Sequence, residues 1–238
     1  MKVVYWGNVK DCQRPTQDQE ILKGLKGVAD VKFFDIKNFD MKKLIAEANS
    51  ADLFLFHGTV PSSDEITEML MVERIQVVLK SITCKKALWF MEKVWMGKAN
   101  LIDRLLPYVD HAFFTDGTWT RRVNEKVHAL SQAAPIKPLR GKYRTELACD
   151  IAYVGQMYGP RTKEYEILKE KFGDAIRFYD NKHGQYLADL CKSVKVMLLP
   201  NFPFDDFYFS SRIYTYLSYG AFVIIRRTHG LREEGFED

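Results

Sequence analysis

Short apolar segments alternate with longer amphipathic segments along most of the chain. The apolar segments are rich in β-branched and aromatic residues, which favour strands, whereas the amphipathic segments carry apolar residues at helical spacing. Strands that are apolar on both faces are typical of parallel sheets covered by helices. The pattern therefore predicts an α/β protein built from doubly wound parallel sheets.

This pattern divides the chain into two parts. In the first part the predicted strands are Val3–Trp6, Val31–Ile36, Leu53–His57, Ala87–Met91, His111–Thr115 and Val127–Ser131, and the predicted helices are Gln17–Leu25, Met41–Ala48, Asp64–Lys80 and Ala99–Leu106. Pro135 and Pro138 then interrupt the alternation. Because domain boundaries fall in polar, proline-containing segments, we expect a domain at 1–134, a linker at 135–149 and a shorter domain at 150–238.

The second part ends in a candidate anion site. Its predicted strands are Ile151–Val154, Ile176–Tyr179, Lys195–Leu199 and Phe222–Ile225, and its predicted helices are Thr162–Phe172, Gly184–Ser193 and a helix that Ser210 and Ser211 open and Gly220 ends. Serines are good helix N-caps, and free N–H groups beside Arg212 at a helix start attract anions. A diphosphate would fit there.

A glycine loop, residues 155–161, follows one strand and opens a helix. Gly155 would let a phosphate approach the backbone closely, and Arg161 would contribute charge. A turn glycine followed by a helix-starting proline explains the loop equally well when it is taken alone. Together with the Ser210–Arg212 segment, the loop predicts two helix N-termini and two arginines around one diphosphate.

Composition narrows the class of protein. Hydrophobic residues make up 47% and charged residues 28%, as in ordinary globular domains. No apolar run approaches the roughly 20 residues that span a bilayer, and Met1 leads directly into a strand, so we expect a cytoplasmic protein. Cys12, Cys84, Cys149 and Cys191 lack metal or CxxC spacing and are expected to be reduced, buried thiols.

The basic charge is concentrated in the middle of the chain. The cations between Gly117 and Leu147 are Arg121, Arg122, Lys126, Lys137, Arg140, Lys142 and Arg144, and the only acids there are Glu125 and Glu146. A solvated linker surface explains this run, and so does a basic hinge beside a phosphate-bearing ligand or acceptor.

Two segments carry a resemblance to a known family. Val154-Gly155 followed by Arg161 forms one, and Ser211-Arg212 followed by Gly220 forms the other. Over about residues 150–232 the chain resembles the C-terminal half of GT-B glycosyltransferases of the CgeB-like group. The first half is similar to that family only in its order of strands and helices.

The resemblance implies a GT-B-like fold, with two Rossmann-type domains facing each other across a cleft, and a nucleoside-diphosphate sugar as donor, with a UDP-sugar favoured over a GDP-sugar. The implied donor contacts are Gly155, Tyr158, Arg161, Asn201, Asp206, Ser210, Ser211, Arg212 and Thr215. Thr215 stands where the family has the glutamate that holds the ribose. Asp205-Asp206 is not the DxD motif of metal-dependent enzymes, so no metal ion is expected.

The first domain would bind the acceptor and supply a general base. An inverting transfer needs a histidine or carboxylate within hydrogen-bond reach of the acceptor hydroxyl. His57, at the end of a predicted strand, is the first candidate and Asp116 the second. A structural role explains both residues as well, because lone histidines at strand ends are commonly structural and Asp116-Gly117 is a typical turn sequence.

The sequence therefore predicts a metal-independent glycosyltransferase that moves a sugar from a nucleoside-diphosphate sugar to an unidentified hydroxyl of a glycan or small molecule. Two alternatives stay open. The change at Thr215 is compatible with a non-catalytic module that only binds nucleotide-sugars. The basic middle is compatible with a phage-type enzyme that glycosylates modified DNA bases.

Overall fold

A computed structural model describes residues 1–8, 17–57, 65–91, 102–120, 124–131, 134, 137–155, 160–180, 182–199 and 206–236. Contacts divide the chain into two units, Met1–Ser131 and Gln132–Asp238. The described part of the first unit contains a six-stranded sheet and that of the second a four-stranded sheet, and all strand pairs within them are parallel. The predicted α/β class with parallel sheets is confirmed. The cleft expected between the domains stays a prediction.

The first unit follows the predicted alternation. Its strands are β1 (Lys2–Gly7), β2 (Asp30–Asp35), β3 (Leu53–His57), β4 (Lys85–Phe90), β5 (His111–Phe114) and β6 (Val127–Ala129), and its helices are α1 (Gln17–Lys26), α2 (Met41–Asn49), α3 (Glu65–Ser81) and α4 (Gly117–Thr120). Helical residues 102–105 lead into a 3₁₀ turn at Leu106–Tyr108. The short helix α4 and this turn were not predicted. The first residues of the helix expected at Ala99–Leu106 lie outside the described residues.

Strand β1 lies inside this first sheet and is buried on both faces. Val3, Val4, Tyr5 and Trp6 are at most 1% exposed. The Trp6 ring contacts Phe54 and Phe56 on one face, while Tyr5 belongs to a second apolar cluster on the other. A continuous apolar run is what a parallel strand covered on both faces requires.

The strand order of the first sheet, β2-β1-β3-β4-β5-β6, creates one topological switch point. The chain passes from β1 to β2 on one side and then crosses to β3 on the other, so the connections diverge at the carboxyl ends of β1 and β3. This is the second common doubly wound order. Local periodicity predicts the strands but carries no information about which strands pair.

The second unit repeats this plan with four strands. These are β7 (Ile151–Val154), β8 (Ile176–Tyr179), β9 (Val196–Leu199) and β10 (Val223–Ile225), and the helices are α5 (Pro160–Phe172), α6 (Gly184–Ser193), α7 (Arg212–Ser218) and α8 (His229–Glu233). The order β10-β9-β7-β8 again has the first strand of the unit between the second and the third. Its switch point therefore lies at the carboxyl ends of β7 and β9.

Residues 140–147, expected to lie in a linker, pack along α6. The Lys142 N–H donates to Asp189 Oδ1 at 2.9 Å and the Arg144 N–H to Ser193 Oγ at 2.8 Å. Near the start of α6, Gln185 Nε2 donates to the Arg140 carbonyl at 3.0 Å. Two residues of extended chain rise about 6.6 Å and four residues of helix about 6 Å, so the two repeats stay in step.

Gly141 permits the close approach of this segment to the helix. A Cβ atom built at Gly141 would lie 2.0 Å from the Ala188 carbonyl oxygen and 3.1 Å from Lys192 Cβ. Backbone cannot yield as a flexible side chain can, so any larger residue would push the segment away from α6. The 3₁₀ turn at Thr145–Leu147 then buries Leu147 in the core of the second unit.

We expect Gly141→Ala to destabilise the second unit. Overpacking against well-packed neighbours typically costs about 1–3 kcal/mol, and a contact with backbone belongs at the upper end of that range. Urea unfolding followed by circular dichroism measures the change. Tyr143→Ala, at a side chain that is 63% exposed, is the control and should change stability by less than about 0.5 kcal/mol. Equal midpoints for the two variants would contradict the contact.

Candidate functional site

Arg212 is the first residue of α7 and lies at the switch point of the second sheet. Its Nη1 donates to the carbonyl oxygen of Val154, the last residue of β7, at 2.7 Å. The two residues are 58 positions apart in sequence. This hydrogen bond brings the start of α7 to the carboxyl end of β7 and fixes where the guanidinium sits. A guanidinium has five N–H donors, so the bond to Val154 leaves donors for further partners.

Gly155 brings Arg212 and Arg161 to the same place. A Cβ atom on Gly155 would lie 3.2 Å from Arg212 Nη1 and 3.7 Å from Arg161 Nη1. Both guanidinium groups therefore border the space above this glycine, directly after β7. Two like charges at this range repel each other unless an anion lies between them, and planar guanidinium groups suit phosphate oxygens. Chemically, the arrangement fits a phosphate or diphosphate.

Two buried tyrosines lie beneath the arginines. Tyr153 and Tyr216 are both 0% exposed, and the Tyr153 ring comes within 3.3 Å of the Cβ position on Gly155. Burial raises the pKa of Tyr216 to about 12, while the positive charge of Arg212 acts in the opposite direction. Among the described residues the Tyr216 hydroxyl has no hydrogen-bond partner of good geometry. The site therefore rests on two buried aromatic rings, and the Tyr216 hydroxyl stays protonated.

Glu164 and Arg226 enlarge the charged cluster. Burial raises the pKa of Glu164, and the charges of Arg161 and Arg226 act against that rise. Glu164 lies one turn after Arg161 on α5, and Arg226 directly follows β10. Arg161 and Arg212 lie at the carboxyl end of β7, and Arg226 directly follows the edge strand β10. The cations therefore lie at the carboxyl ends of two of the four strands. The carboxylate of Glu164 partly offsets two of these charges.

The start of α7 differs from the sequence expectation. Three N–H groups of its first turn are already used: those of Arg212 and Ile213 donate to Ser210 Oγ and O at 3.4 and 3.2 Å, and that of Tyr214 donates to Ser211 O at 3.1 Å. Ser211 has helical dihedral angles and makes no side-chain cap. The expectation of free amides at this helix start was therefore wrong for these three groups. The arginine side chains, not the helix N-terminus, offer donors to an anion.

The loop that precedes α7 packs on α8. The Gly230 N–H donates to the Asp206 carbonyl at 2.8 Å, and a Cβ on Gly230 would lie 3.0 Å from the Phe207 carbonyl oxygen. Asp206 itself is exposed. Of the other residues expected in the donor site, Tyr158 and Asn201 lie outside the described residues.

A carboxylate at the end of α8 contacts the first turn of α7. The Tyr214 hydroxyl donates to Glu234 Oε2 at 3.1 Å, and the Tyr214 ring packs on Phe209 and Phe236. Tyr214 is in the first turn of α7, which Arg212 begins. Thr215 is half-buried, and its carbonyl accepts from Ser218 Oγ at 2.7 Å. Glu234 therefore contacts this turn through the Tyr214 hydroxyl.

In the first unit, His57 and Asp116 are both buried. His57 ends β3 at the switch point, is 4% exposed and packs against the rings of Tyr5 and Trp89. Asp116 is 1% exposed, and its Oδ1 accepts from the Thr118 N–H at 3.0 Å. These surroundings agree with the structural alternative for each residue, an aromatic packing role for His57 and a turn at Asp116. Their role as general base stays a prediction.

Three further expectations concern metals, thiols and membranes. In the described ranges, no group of three or more His, Cys, Asp and Glu side chains could hold a metal ion. Cys191 is buried, and burial raises its pKa to about 12, whereas Cys84 and Cys149 are half-buried free thiols. Within the same ranges, no helix has the length and apolar character needed to cross a membrane.

The fold has relatives among solved structures, although no protein-family model and no curated protein sequence matches the chain. An alpha-glucosyltransferase in complex with UDP and a 13-mer DNA containing a central A:G mismatch aligns with a TM-score of 0.60 at 8% identity, over 94% of this chain and 79% of that chain. An alpha-glucosyltransferase with UDP and a 13-mer DNA containing an HMU base gives 0.50 at 12% identity, over 98% and 69%. An alpha1,3-fucosyltransferase gives 0.52 at 10% identity, over 98% and 70%.

These likenesses show the fold. They confirm the predicted GT-B-like α/β class with two parallel sheets, since all three structures are glycosyltransferases. At such identities a shared fold does not carry an activity with it. The narrower resemblance to the CgeB-like group remains a prediction from the two motifs.

Sequence reasoning found the two arginines but missed their surroundings. Glu164 could have been noticed, because residues three apart on a helix are neighbours and Glu164 follows Arg161 at that spacing. Helix α8 also had a signal, since Thr228 caps it by accepting from the Leu231 N–H at 3.3 Å. Arg226 had none, because only the pairing of β10 with β9 brings it to this edge of the sheet.

We expect Gly155→Ala to weaken anion binding without unfolding the protein. The added methyl group would lie 3.2 Å from Arg212 Nη1 and 3.7 Å from Arg161 Nη1, in the space where we expect an anion to bind. Inorganic pyrophosphate should therefore raise the melting temperature of Gly155→Ala less than that of the parent. Gly27→Ala is the control, because its Cβ would meet the Gly24 carbonyl at 3.2 Å, a similar contact far along the chain from the arginines. Equal shifts in all three proteins would contradict the site.

Proposed function

We propose that the protein transfers a sugar from a nucleoside-diphosphate sugar, preferentially a UDP-sugar, to a hydroxyl group. The observation that carries the proposal is the arginine pair, Arg161 and Arg212, beside Gly155 at the switch point of the second sheet. Ligands of open α/β sheets bind beyond the carboxyl ends of the strands at such a point. The fold shared with glycosyltransferases that were solved with UDP supports the same conclusion.

The chemistry assigned to the site is stabilisation of the leaving diphosphate. As the bond between the sugar and the diphosphate breaks, negative charge grows on the β-phosphate, and fixed cations stabilise it most in the transition state. Arg212 is fixed by Val154, so little reorganisation is needed when the charge develops. No step here calls for a metal ion, and we propose that the transfer is metal-independent.

We assign the acceptor side of the reaction to the first unit. His57 at the switch point of the first sheet, or Asp116 after β5, would take the proton from the acceptor hydroxyl. Both side chains are buried, so an acceptor could reach them only after local rearrangement. If neither residue is the base, one alternative is a base among residues outside the described ranges. The other alternative is that the chain binds nucleotide-sugars without catalysing transfer.

A modified DNA base is the second candidate acceptor. The observation in its favour is that two of the three glycosyltransferases sharing the fold were solved with DNA. The basic middle of the chain agrees with such a substrate. A glycan or a small molecule is the alternative.

Hydrolysis and transfer assays distinguish an enzyme from a binding module. Their donors are radiolabelled UDP-glucose, UDP-galactose and GDP-mannose. Slow hydrolysis of one donor, or transfer to hydroxymethylated DNA or an oligosaccharide, is the result expected. A thermal-shift series with UDP, GDP, ADP, CDP and dTDP identifies the base, because a ligand that binds only the folded state raises its stability. A shift with UDP but no turnover of any donor would favour the non-catalytic module.

We expect Arg212→Ala to weaken UDP binding tenfold to a hundredfold. The variant removes charge-assisted hydrogen bonds, which typically contribute about 1.5–3 kcal/mol. Isothermal titration with UDP measures the change, and circular dichroism checks the fold. Arg177→Ala is the matched control, since Arg177 lies in β8 and its Nη1 also donates to a backbone carbonyl, that of Glu146, at 3.2 Å. A folded Arg212→Ala protein that binds UDP as tightly as the parent would show the assignment to be wrong.

We expect poor discrimination between UDP and 2′-deoxy-UDP, under about tenfold. Thr215 offers one short hydroxyl in place of a carboxylate that could accept from both ribose hydroxyls, and rejection of a deoxy analogue requires a buried polar group that is left unpaired. Thr215→Glu should increase the preference for UDP. The ratio of the two dissociation constants is the measurement.

Glu234 is the residue that would replace the family glutamate if discrimination proves strong. Its carboxylate is oriented by Tyr214, the neighbour of Thr215. A hundredfold preference for UDP in the parent that Glu234→Gln abolishes would assign the ribose contact to Glu234. A hundredfold preference that survives Glu234→Gln would contradict both the poor discrimination expected from Thr215 and the assignment to Glu234.

A further inference from the structure

A row of cations lies along the outside of α6. We call it the basic ridge and define it by five exposed residues, Lys137, Arg140, Lys142, Arg144 and Lys192. Lys192 belongs to α6 itself, and its Cβ would lie 3.1 Å from a Cβ on Gly141. The other four lie in the extended segment that precedes the second sheet, and the later part of this segment packs on α6. Because all of these residues belong to the second unit, their arrangement is fixed within one folded body.

The backbone of the ridge is anchored while its charged side chains stay exposed. Asp189, buried beneath the segment, accepts from the Lys142 N–H, from Arg144 Nε at 3.1 Å and from Gln185 Nε2 at 2.7 Å. The Lys142 N–H foremost, with Gln185 and Arg144, lowers the pKa of Asp189. A segment that only joined two domains would need no such anchoring. The anchoring gives the backbone of this basic segment a defined position.

Among the described residues, acids offset only part of the charge of the ridge. Asp189 pairs with Arg144 alone among the five cations, in an ion pair whose arginine side chain remains 50% exposed. Glu146 is the nearest acid in the segment, and its backbone carbonyl accepts from Arg177, a further cation. Asp150 is paired with Lys195 at 2.6 Å. An excess of positive potential therefore remains along the segment.

We propose that the basic ridge binds the sugar-phosphate backbone of a nucleic acid. Alternate residues of an extended chain are about 6.6 Å apart, so Arg140, Lys142 and Arg144 form a linear row of charges, and a nucleic acid presents a linear row of phosphates. The ridge is distinct from the arginine pair, and its binding does not depend on sugar transfer.

An anionic membrane is the main alternative partner, and the structure favours it less. Proteins that lie on a bilayer insert an apolar helix face next to their basic residues. Here α6 buries its apolar residues, Leu187 and Leu190 among them, in the core of the second unit. Beside the ridge, Lys182 lies above the ring of Tyr186. Leu139, within the ridge segment, is 40% exposed, and a single apolar side chain does not form such a helix face.

The ridge also runs toward the proposed donor site. Arg140 contacts Gln185 at the start of α6, and Arg144 contacts Ser193 at its end. Helix α6 follows β8, so its first residues lie at the carboxyl ends of the strands, where Gly155 and Arg212 also lie. A nucleic-acid strand bound along the ridge would therefore lead to the carboxyl ends of the strands.

The test compares two triple variants that remove the same charge. In the ridge variant Arg140, Lys142 and Lys192 become glutamine, and Arg144 is left in place because it pairs with Asp189. In the control variant Lys26, Lys42 and Lys43, which are exposed in the first unit, become glutamine. Fluorescence anisotropy of a short labelled duplex DNA of random sequence is measured from about 50 to 200 mM salt.

For the parent, the logarithm of the DNA association constant should fall linearly with the logarithm of the salt concentration. The slope should decrease by about one for each phosphate-contacting cation removed, so by about three in the ridge variant. DNA binding should also weaken at least about tenfold near 100 mM salt. The control variant should keep the parent's slope to within about one. Equal effects of the two triple variants would overturn the proposal.

Two further arms separate this proposal from its rivals and from the proposed function. Vesicles of phosphatidylserine and phosphatidylcholine replace DNA in one arm, and ridge-dependent binding to the vesicles without binding to DNA would overturn the nucleic-acid assignment. UDP titration is the other arm. The ridge variant should bind UDP as the parent does, and Arg212→Ala should keep its DNA binding. A loss of UDP binding in the ridge variant would show that the two surfaces are not separate.

Discussion

The hydrogen bond from the Arg212 guanidinium to the Val154 carbonyl is the contact on which the candidate site depends. It ties the first residue of α7 to the last residue of β7, across 58 positions of sequence. The strand order makes this contact useful, because the connections diverge between β7 and β9 and leave the carboxyl end of β7 open to a ligand. Without that bond the charge of Arg212 would have no defined position above Gly155.

A second constraint acts around α6 and fixes the position of the basic ridge. Gly141 lets the preceding segment lie against the helix, and the buried carboxylate of Asp189 binds that segment through its backbone. Both devices follow one principle: a buried polar group is paired, and the pairing positions exposed charge nearby. At the donor site the buried partner is a strand carbonyl, and on the ridge it is an aspartate on a helix. Each fixed partner aligns cations that would otherwise repel one another.

The sequence predicted elements well where local pattern decides them. Ile151–Val154, Ile176–Tyr179 and Gly184–Ser193 have the bounds expected, because each is an apolar or amphipathic run between clear breakers. Strand order and the neighbourhood of Arg226 were not predicted, since they depend on pairing between distant strands. The amides at the start of α7 were wrongly taken as free, because the dihedral angles of Ser211 are not legible from its residue type. The arginines were found because charge beside a glycine loop is a local signal.

Arginine side-chain NMR during a UDP titration tests the central claim most directly. The Nε–Hε signals of Arg161 and Arg212 can be assigned by loss of one signal in Arg161→Lys and of the other in Arg212→Lys. Both signals should shift as UDP is added and should saturate at the same UDP concentration, because one diphosphate would contact both guanidinium groups. UDP binding that leaves both signals unmoved would contradict a diphosphate site at Gly155.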